Sequence, residues 1–156
     1  MRIKGFNLSW LLFLLIIVKS LASCTPSACL GETTASINAG FYTTGTGKPL
    51  KLDSITVFGI GNNSKKLYSK ITNVTSIKLP LDATATTCGF VMKINKDTDT
   101  LRLIYSSFPF LISKECGFTF FYTLDSCIWS GRVIDTINIR NKKVTIYNEE
   151  NIRIFY

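Results

Sequence analysis

Residues 100–105 read TLRLIY, and residues 117–124 read GFTFFYTL. In the first stretch Leu101, Leu103 and Tyr105 fall on one side of an extended chain, with Arg102 opposite. In the second, Phe118, Phe120, Tyr122 and Leu124 line one side. A period of two marks a strand with one buried face. The closing residues repeat it, with Ile152, Ile154 and Tyr156 on one side and Arg153 between. Further strands are expected at 37–43, 54–60, 67–70, 74–79, 88–94, 133–139 and 143–147. Turn chemistry falls between them: Gly45-Thr-Gly47, Gly61-Asn-Asn63, Asn95-Lys-Asp-Thr-Asp99, Asn141-Lys-Lys143 and Asn148-Glu-Glu-Asn151. No segment after the first 24 residues shows a 3.6-residue period. About ten short, closely spaced strands predict an all-β fold, a single antiparallel β-sandwich of immunoglobulin-like type over residues 37–156. The last strand, ending on an aromatic, also suits the closing strand of a small outer-membrane β-barrel. Barrel strands need ~9–11 residues, longer than most here.

The amino terminus has the build of an export signal. Arg2 and Lys4 precede an uncharged apolar run, WLLFLLIIV at 10–18. That run is too short for the ~20 residues of a membrane-spanning helix. It leads into Leu21-Ala22-Ser23-Cys24, which resembles a bacterial lipobox, in which the Cys is lipidated and becomes the new amino terminus. Cleavage after Ala22, or retention of the segment as an anchor, are the rival readings. Lys19, between the apolar run and the box, is unusual for a lipobox. The expected division is a signal peptide at 1–23, a lipidated tether at 24–36, small and polar, and the strand domain at 37–156.

Charge and cysteine arithmetic change with that cut. The full chain of 156 residues carries 18 Lys plus Arg, 10 Asp plus Glu, five Cys and no His, for a formal +8. Removing residues 1–23 takes away Arg2, Lys4 and Lys19 but no acid, leaving +5. The remaining cations are scattered, as on a solvated surface, so no nucleic-acid partner is expected. Lipidation of Cys24 leaves Cys29, Cys88, Cys116 and Cys127, an even set in an oxidising compartment. The absence of His excludes Ser-His-Asp, Cys-His and HExxH chemistry.

From about Phe41 onward the chain resembles a family of small exported Bacteroidota lipoproteins classed as a domain of unknown function. The features that carry the likeness are Phe41-Tyr42, KLDSITVFGIG at 51–61 and Ile77-Lys-Leu-Pro-Leu81. DTLRLIY at 99–105, Glu115-Cys-Gly-Phe118 and the terminal NIRIFY at 151–156 complete it. None of these is a catalytic motif. The resemblance implies a disulfide between Cys29 and Cys116 that staples the tether to the domain. Cys88 and Cys127 depart from the family pattern and are expected to form a second bridge, with Cys88–Cys116 as the rival pairing. The residues after Cys24 (Thr25-Pro26-Ser27-Ala28) carry no acid, which in this kind of lipoprotein implies a periplasm-facing pose, with the outer membrane as the expected site.

Three sites read Asp, Ser or Thr, then an aliphatic, like the O-glycosylation acceptors of such envelope proteins: Ser54, Thr100 and Thr136. Asp before a β-branched residue is equally the grammar of a turn opening a strand. Asp97 and Asp99 lack the spacing of a calcium loop, and no metal or cofactor is expected. Tyr105, Phe108, Phe110, Phe120, Phe121, Tyr122 and Trp129 make the second half aromatic-rich. At strand spacing such residues belong to a core, but Phe121 must point away from Phe120 and Tyr122, and Trp129 is expected on a loop beside a bridge. An enzyme would need converging carboxylates or a Lys-activated Ser, with Ser106, Ser107 or Ser113 near Lys114 as the candidates. The sequence thus points to a non-enzymatic, lipid-anchored interaction or accessory module of the bacterial cell envelope, with an envelope or outer-membrane protein as partner. Glycan binding through exposed aromatics is the alternative.

Overall fold

The computed structural model describes residues 32–61 and 66–156. The signal segment, Cys24 and Cys29 lie outside the described residues. Ten strands follow in order: β1 (Ser36–Tyr42), β2 (Ile55–Ile60), β3 (Lys66–Ile71), β4 (Ser76–Pro80), β5 (Thr87–Ile94), β6 (Asp97–Ser113), β7 (Gly117–Trp129), β8 (Thr136–Ile139), β9 (Lys143–Val144) and β10 (Ile152–Phe155). They form a four-stranded sheet, β4-β1-β10-β8, and a six-stranded sheet, β3-β2-β5-β6-β7-β9. The described strands make two open sheets packed as a sandwich, not one closed sheet, which overturns the barrel alternative. All pairings are antiparallel except β1 with β10, which run parallel.

Alternation explains the core. Ile37, Ala39 and Phe41 of β1, Ile77 and Leu79 of β4, and Ile152 and Ile154 of β10 are buried. They belong to one apolar cluster with Ile55, Val57, Phe90, Met92, Ile94, Leu101, Leu103, Tyr105, Tyr122 and Leu124 of the larger sheet. Polar side chains join the layers at the edges. The Tyr68 hydroxyl on β3 donates to the Lys78 carbonyl at 2.8 Å and accepts its N–H at 3.0 Å. This satisfies backbone groups of edge strand β4 that would otherwise offer a pairing template. Asn151 accepts from the Asn38 N–H through its side-chain oxygen and donates to the carbonyls of Asn141 and Lys143.

Asp99 is the most heavily bonded side chain. It is 1% exposed, and its carboxylate accepts the N–H groups of Thr100, Ser130, Arg132, Val133 and Ile134 at 2.7–3.1 Å. The Ser130 hydroxyl donates to it as well. The segment after β7 therefore turns around one buried charge. Burial pushes this carboxyl up, but the Ser130 hydroxyl and the Ile134, Val133 and Thr100 N–H groups outweigh it and hold the group well below the usual range.

Several boundaries differ from the expected ones. The turn expected at 95–99 is confined to Asn95-Lys96, because Asp97 and Thr98 pair with Ile94 and Lys93. Asn95 supplies the positive φ, 54°, that this tight connection needs. The strand expected at 133–139 begins only at Thr136, since Val133 and Ile134 give their N–H groups to Asp99. The strand expected at 143–147 is a two-residue pairing against Tyr122 and Thr123. The largest difference is at β6 and β7, which run to 17 and 13 residues. Pro109 sits within β6 where one side of that strand has no neighbour, a place where a missing donor is tolerated.

Replacing Asp99 by Ala leaves the N–H groups of Arg132, Val133 and Ile134 without an acceptor, while Ser130 and Thr100 keep the Thr100 carbonyl and the Ser130 hydroxyl, and should cost about 3–4 kcal/mol. A thermal melt of that variant should fall on the order of 10 °C. Because the folded-state pKa is depressed, the contribution is complete above ~pH 4, the unfolded value, and is lost as pH falls through the folded value. The acid limb of the stability profile should therefore be steeper in the native chain than in Asp99→Asn.

Candidate functional site

The feature that sets this sandwich apart is the outer half of the β6–β7 hairpin. Strand β5 follows β6 only to the Thr87–Ile104 pair, and β9 follows β7 only to the Tyr122–Val144 pair. Beyond these points, residues 106–113 and 117–121 pair only with each other. The ladder closes at a tight turn in which Ser113 faces Gly117, and Gly117 takes a φ of 72°. A left-handed residue at that position completes the three-residue hairpin turn, which is why the Cys-Gly step is there.

The core is sealed where the arm begins. The Tyr105 hydroxyl donates to the Asp82 carbonyl at 2.9 Å and accepts its N–H at 3.1 Å. Tyr122 donates to the Leu81 carbonyl at 3.3 Å, and Ser107 donates to the Ala83 carbonyl at 2.8 Å. The two tyrosine rings meet edge to face, with centroids 5.5 Å apart. The connection between β4 and β5 is thereby tied across the end of the core. Burial pushes the Tyr105 hydroxyl up to about 12, so it stays neutral and can donate at any physiological pH.

Past this seal the inward alternation of the strands continues, but nothing described covers it. Pro109, Leu111, Phe118 and Phe120 follow Tyr105 and Tyr122 on the same face and are exposed, Phe118 to 75%. The expectation that Phe118 and Phe120 belong to the core with Tyr122 and Leu124 is corrected here: the opposing sheet ends first. The other face carries Phe108, Phe110 and Phe121. Phe110 stacks on Phe121 at 4.1 Å and 12°, and Phe108 meets Phe121 edge-on at 6.2 Å. Phe121 does face outward, as its place between Phe120 and Tyr122 requires, but its two neighbours bury it. These rings cover one another's faces and do not lie side by side as a flat platform for a sugar.

The remaining sequence candidates are dispersed. Cys88 and Cys127 are free thiols, which corrects the expected Cys88–Cys127 bridge and its Cys88–Cys116 rival. Both oppose Leu103, one from each neighbouring strand. They are thus two strand spacings apart, about 9.5 Å, against the ~4.4–6.8 Å between α-carbons that a disulfide spans. Burial pushes each thiol up to about 11. Cys116 lies in the arm's turn, its N–H bonded to the Ser113 hydroxyl at 3.0 Å, and it is not among the free thiols. Trp129 is the last residue of β7 rather than a loop residue. Thr100 and Thr136 are exposed and Ser54 is half-buried. Ser107 is committed to Ala83, and Ser106 faces away from it. Among the described residues no three His, Cys, Asp or Glu side chains converge as metal ligands.

A shallow depression of about 330 Å³ lies on the outer face of the larger sheet, lined by Ile60, Arg102, Ile128 and Trp129. Ile60, Gly89, Arg102 and Ile128 form one row across four strands. A side chain at Gly89 would come within 3.1 Å of Ile60, so the missing Cβ lets Ile60 lean over the row. No carboxylate lines this depression.

The model of a family described only as a family of unknown function (DUF6452) matches residues 54–156. That range holds β2 to β10, including the whole arm, and omits β1. No curated protein and no solved structure matches the chain.

With thiol pKa values near 11, roughly a thousandth of each thiol is ionised at pH 8. Iodoacetamide should leave Cys88 and Cys127 unmodified in the folded chain and label both after denaturation, without any reductant. A need for reductant before labelling would restore the bridge.

Proposed function

The chain belongs to DUF6452, a family of unknown function, and on that footing we propose that it is a lipid-anchored, non-catalytic interaction module of the bacterial cell envelope whose contact element is the β6–β7 arm. The observation that carries this reading is the arm itself. It spends five large apolar residues, Phe108, Phe110, Leu111, Phe118 and Phe120, on surfaces that the sandwich leaves open. A stretch of this kind contributes little to folding and marks a surface made to be covered. The lipobox resemblance of Leu21–Cys24 and the odd cysteine count support the anchor, with Cys24 as its lipid carrier. The aspect is periplasmic, at the outer membrane.

Cys29 and Cys116 form the one disulfide. With Cys88 and Cys127 held as thiols inside the sandwich, and Cys24 lipidated, Cys29 is the partner left for Cys116. The bridge ties the tether to the tip of the arm. Among the acceptor-like sites, Thr136 is the best placed for a glycan, being exposed after an exposed Asp135. Thr100 follows an Asp99 that is wholly engaged with backbone N–H groups, so the acidic half of its motif cannot be read in the folded chain.

Intact mass spectrometry of the native protein tests this directly. The expected species starts at Cys24, carries a lipid mass, and yields one reducible cross-link joining the Cys29 and Cys116 peptides. A soluble chain starting at Ser23, with no lipid, overturns the anchor.

A further inference from the structure

We propose that the β6–β7 arm lies in the headgroup–acyl boundary of the membrane that holds the anchor, so that the module's first contact is the lipid surface. The inference rests on the anchored reading above and deepens it. Three observations converge. The first is composition: the arm is apolar on both faces, Leu111, Phe118 and Phe120 inward and Phe108 and Phe110 outward. A pocket in a partner would have to enclose a two-stranded ribbon on both sides, whereas a fluid boundary layer covers both at once.

The second is placement. Ser36, at the start of β1, pairs with Pro80 at the end of β4, and the residues after Pro80 are those held by Tyr105, Ser107 and Tyr122. The chain therefore enters the sandwich at the end from which the arm leaves. Seven residues separate Cys24 from Glu32, a reach of about 27 Å when fully extended. The arm runs on for five residues from Tyr122 to Gly117, about 17 Å. With Cys29 bridged to Cys116, only four residues lie between Cys24 and Cys29, and that tether spans about 17 Å when fully extended. The tip is thereby kept within about 17 Å of the lipid, no farther than the arm's own length.

The third is polarity at the margins. Past Tyr105 and Tyr122 each strand of the arm has one unpaired edge of backbone donors and acceptors, which forbids entry into the hydrocarbon. Interfacial depth, ~5–10 Å, leaves those groups in contact with water and headgroups. Lys114 at the tip and Lys142 and Lys143 at the base are exposed and can meet headgroup phosphates; Glu115, exposed beside Lys114, is the one acid at the tip.

The test places a reporter at the most exposed ring. Native anchored protein carrying Phe118→Trp is reconstituted in vesicles of phosphatidylethanolamine and phosphatidylglycerol whose acyl chains are brominated close to the headgroup. Phe118 is 75% exposed, so the substitution leaves the sandwich undisturbed. Quenching of total emission is expected to exceed that of the unsubstituted protein, which reports Trp129, by about threefold for an indole at interfacial depth. Quenching equal to the unsubstituted protein overturns the proposal, whether the arm is then covered by the tether or by a protein partner. If intact mass shows no lipid on Cys24, the anchored reading fails by itself. The same vesicles added to the chain carrying Trp10→Phe, Cys24→Ser and Phe118→Trp then decide the arm: quenching above that of the chain carrying only Trp10→Phe and Cys24→Ser sustains its membrane contact, and equal quenching overturns it.

Discussion

The hydroxyls of Tyr105 and Tyr122, bonded to the backbone at Asp82 and Leu81, hold the β4–β5 connection across the end of the core and fix where hydrophobic burial stops. Neither ring could sit so deep without a partner for its oxygen, because an unpaired buried hydroxyl costs about 1–3 kcal/mol. Given those partners, the four-stranded sheet needs to cover the larger one only as far as this seal. Strands β6 and β7 are longer than any neighbour, so what extends past the seal has no layer of the described sandwich to pack on. The arm follows from that mismatch in strand length.

Much of this architecture is legible in the sequence. Ten strands were expected and ten are present among the described residues, and the period-two residues of β1, β6 and β10 face the core as their alternation requires. Alternation assigns a side chain to a face, but it cannot say whether another layer reaches that face. Phe118 and Phe120 carry the same pattern as Tyr122 and Leu124, and only the second pair is covered. The length of the opposing sheet is set by β1, β4, β8 and β10, far away in sequence. The faint local sign is the length of β6 and β7 themselves, interrupted only by a Pro that an unpaired edge tolerates. Asp99 shows the same limit in another form. Its local grammar is that of a turn or an acceptor motif, yet its five N–H partners reach to Ile134 across 35 positions. The two thiols show it again, since composition counts cysteines but does not reveal that Leu103 stands between Cys88 and Cys127.

The functional reading joins the two halves of the chain. On the reading proposed above, the tether from Cys24 and the arm that turns at Cys116 are joined through Cys29, since Cys88 and Cys127 are free thiols. The tether would then set position, and the aromatic arm contact. The family match covers the arm, its turn and the seal, and brings no established activity with it. The larger sheet's outer face, with Ile60, Arg102 and Ile128, offers a second apolar strip at the far side of the same strands.

The central claim is that cooperative burial stops at Tyr105 and Tyr122 while the hairpin continues. Amide hydrogen exchange on the chain carrying Cys24→Ser, followed residue by residue along β6 and β7, addresses it most directly. The account predicts slow exchange, near the global unfolding limit, at Leu101–Tyr105 and Tyr122–Leu124, and exchange through much cheaper local opening at 106–112 and 118–121. Uniform protection along the whole hairpin would contradict it.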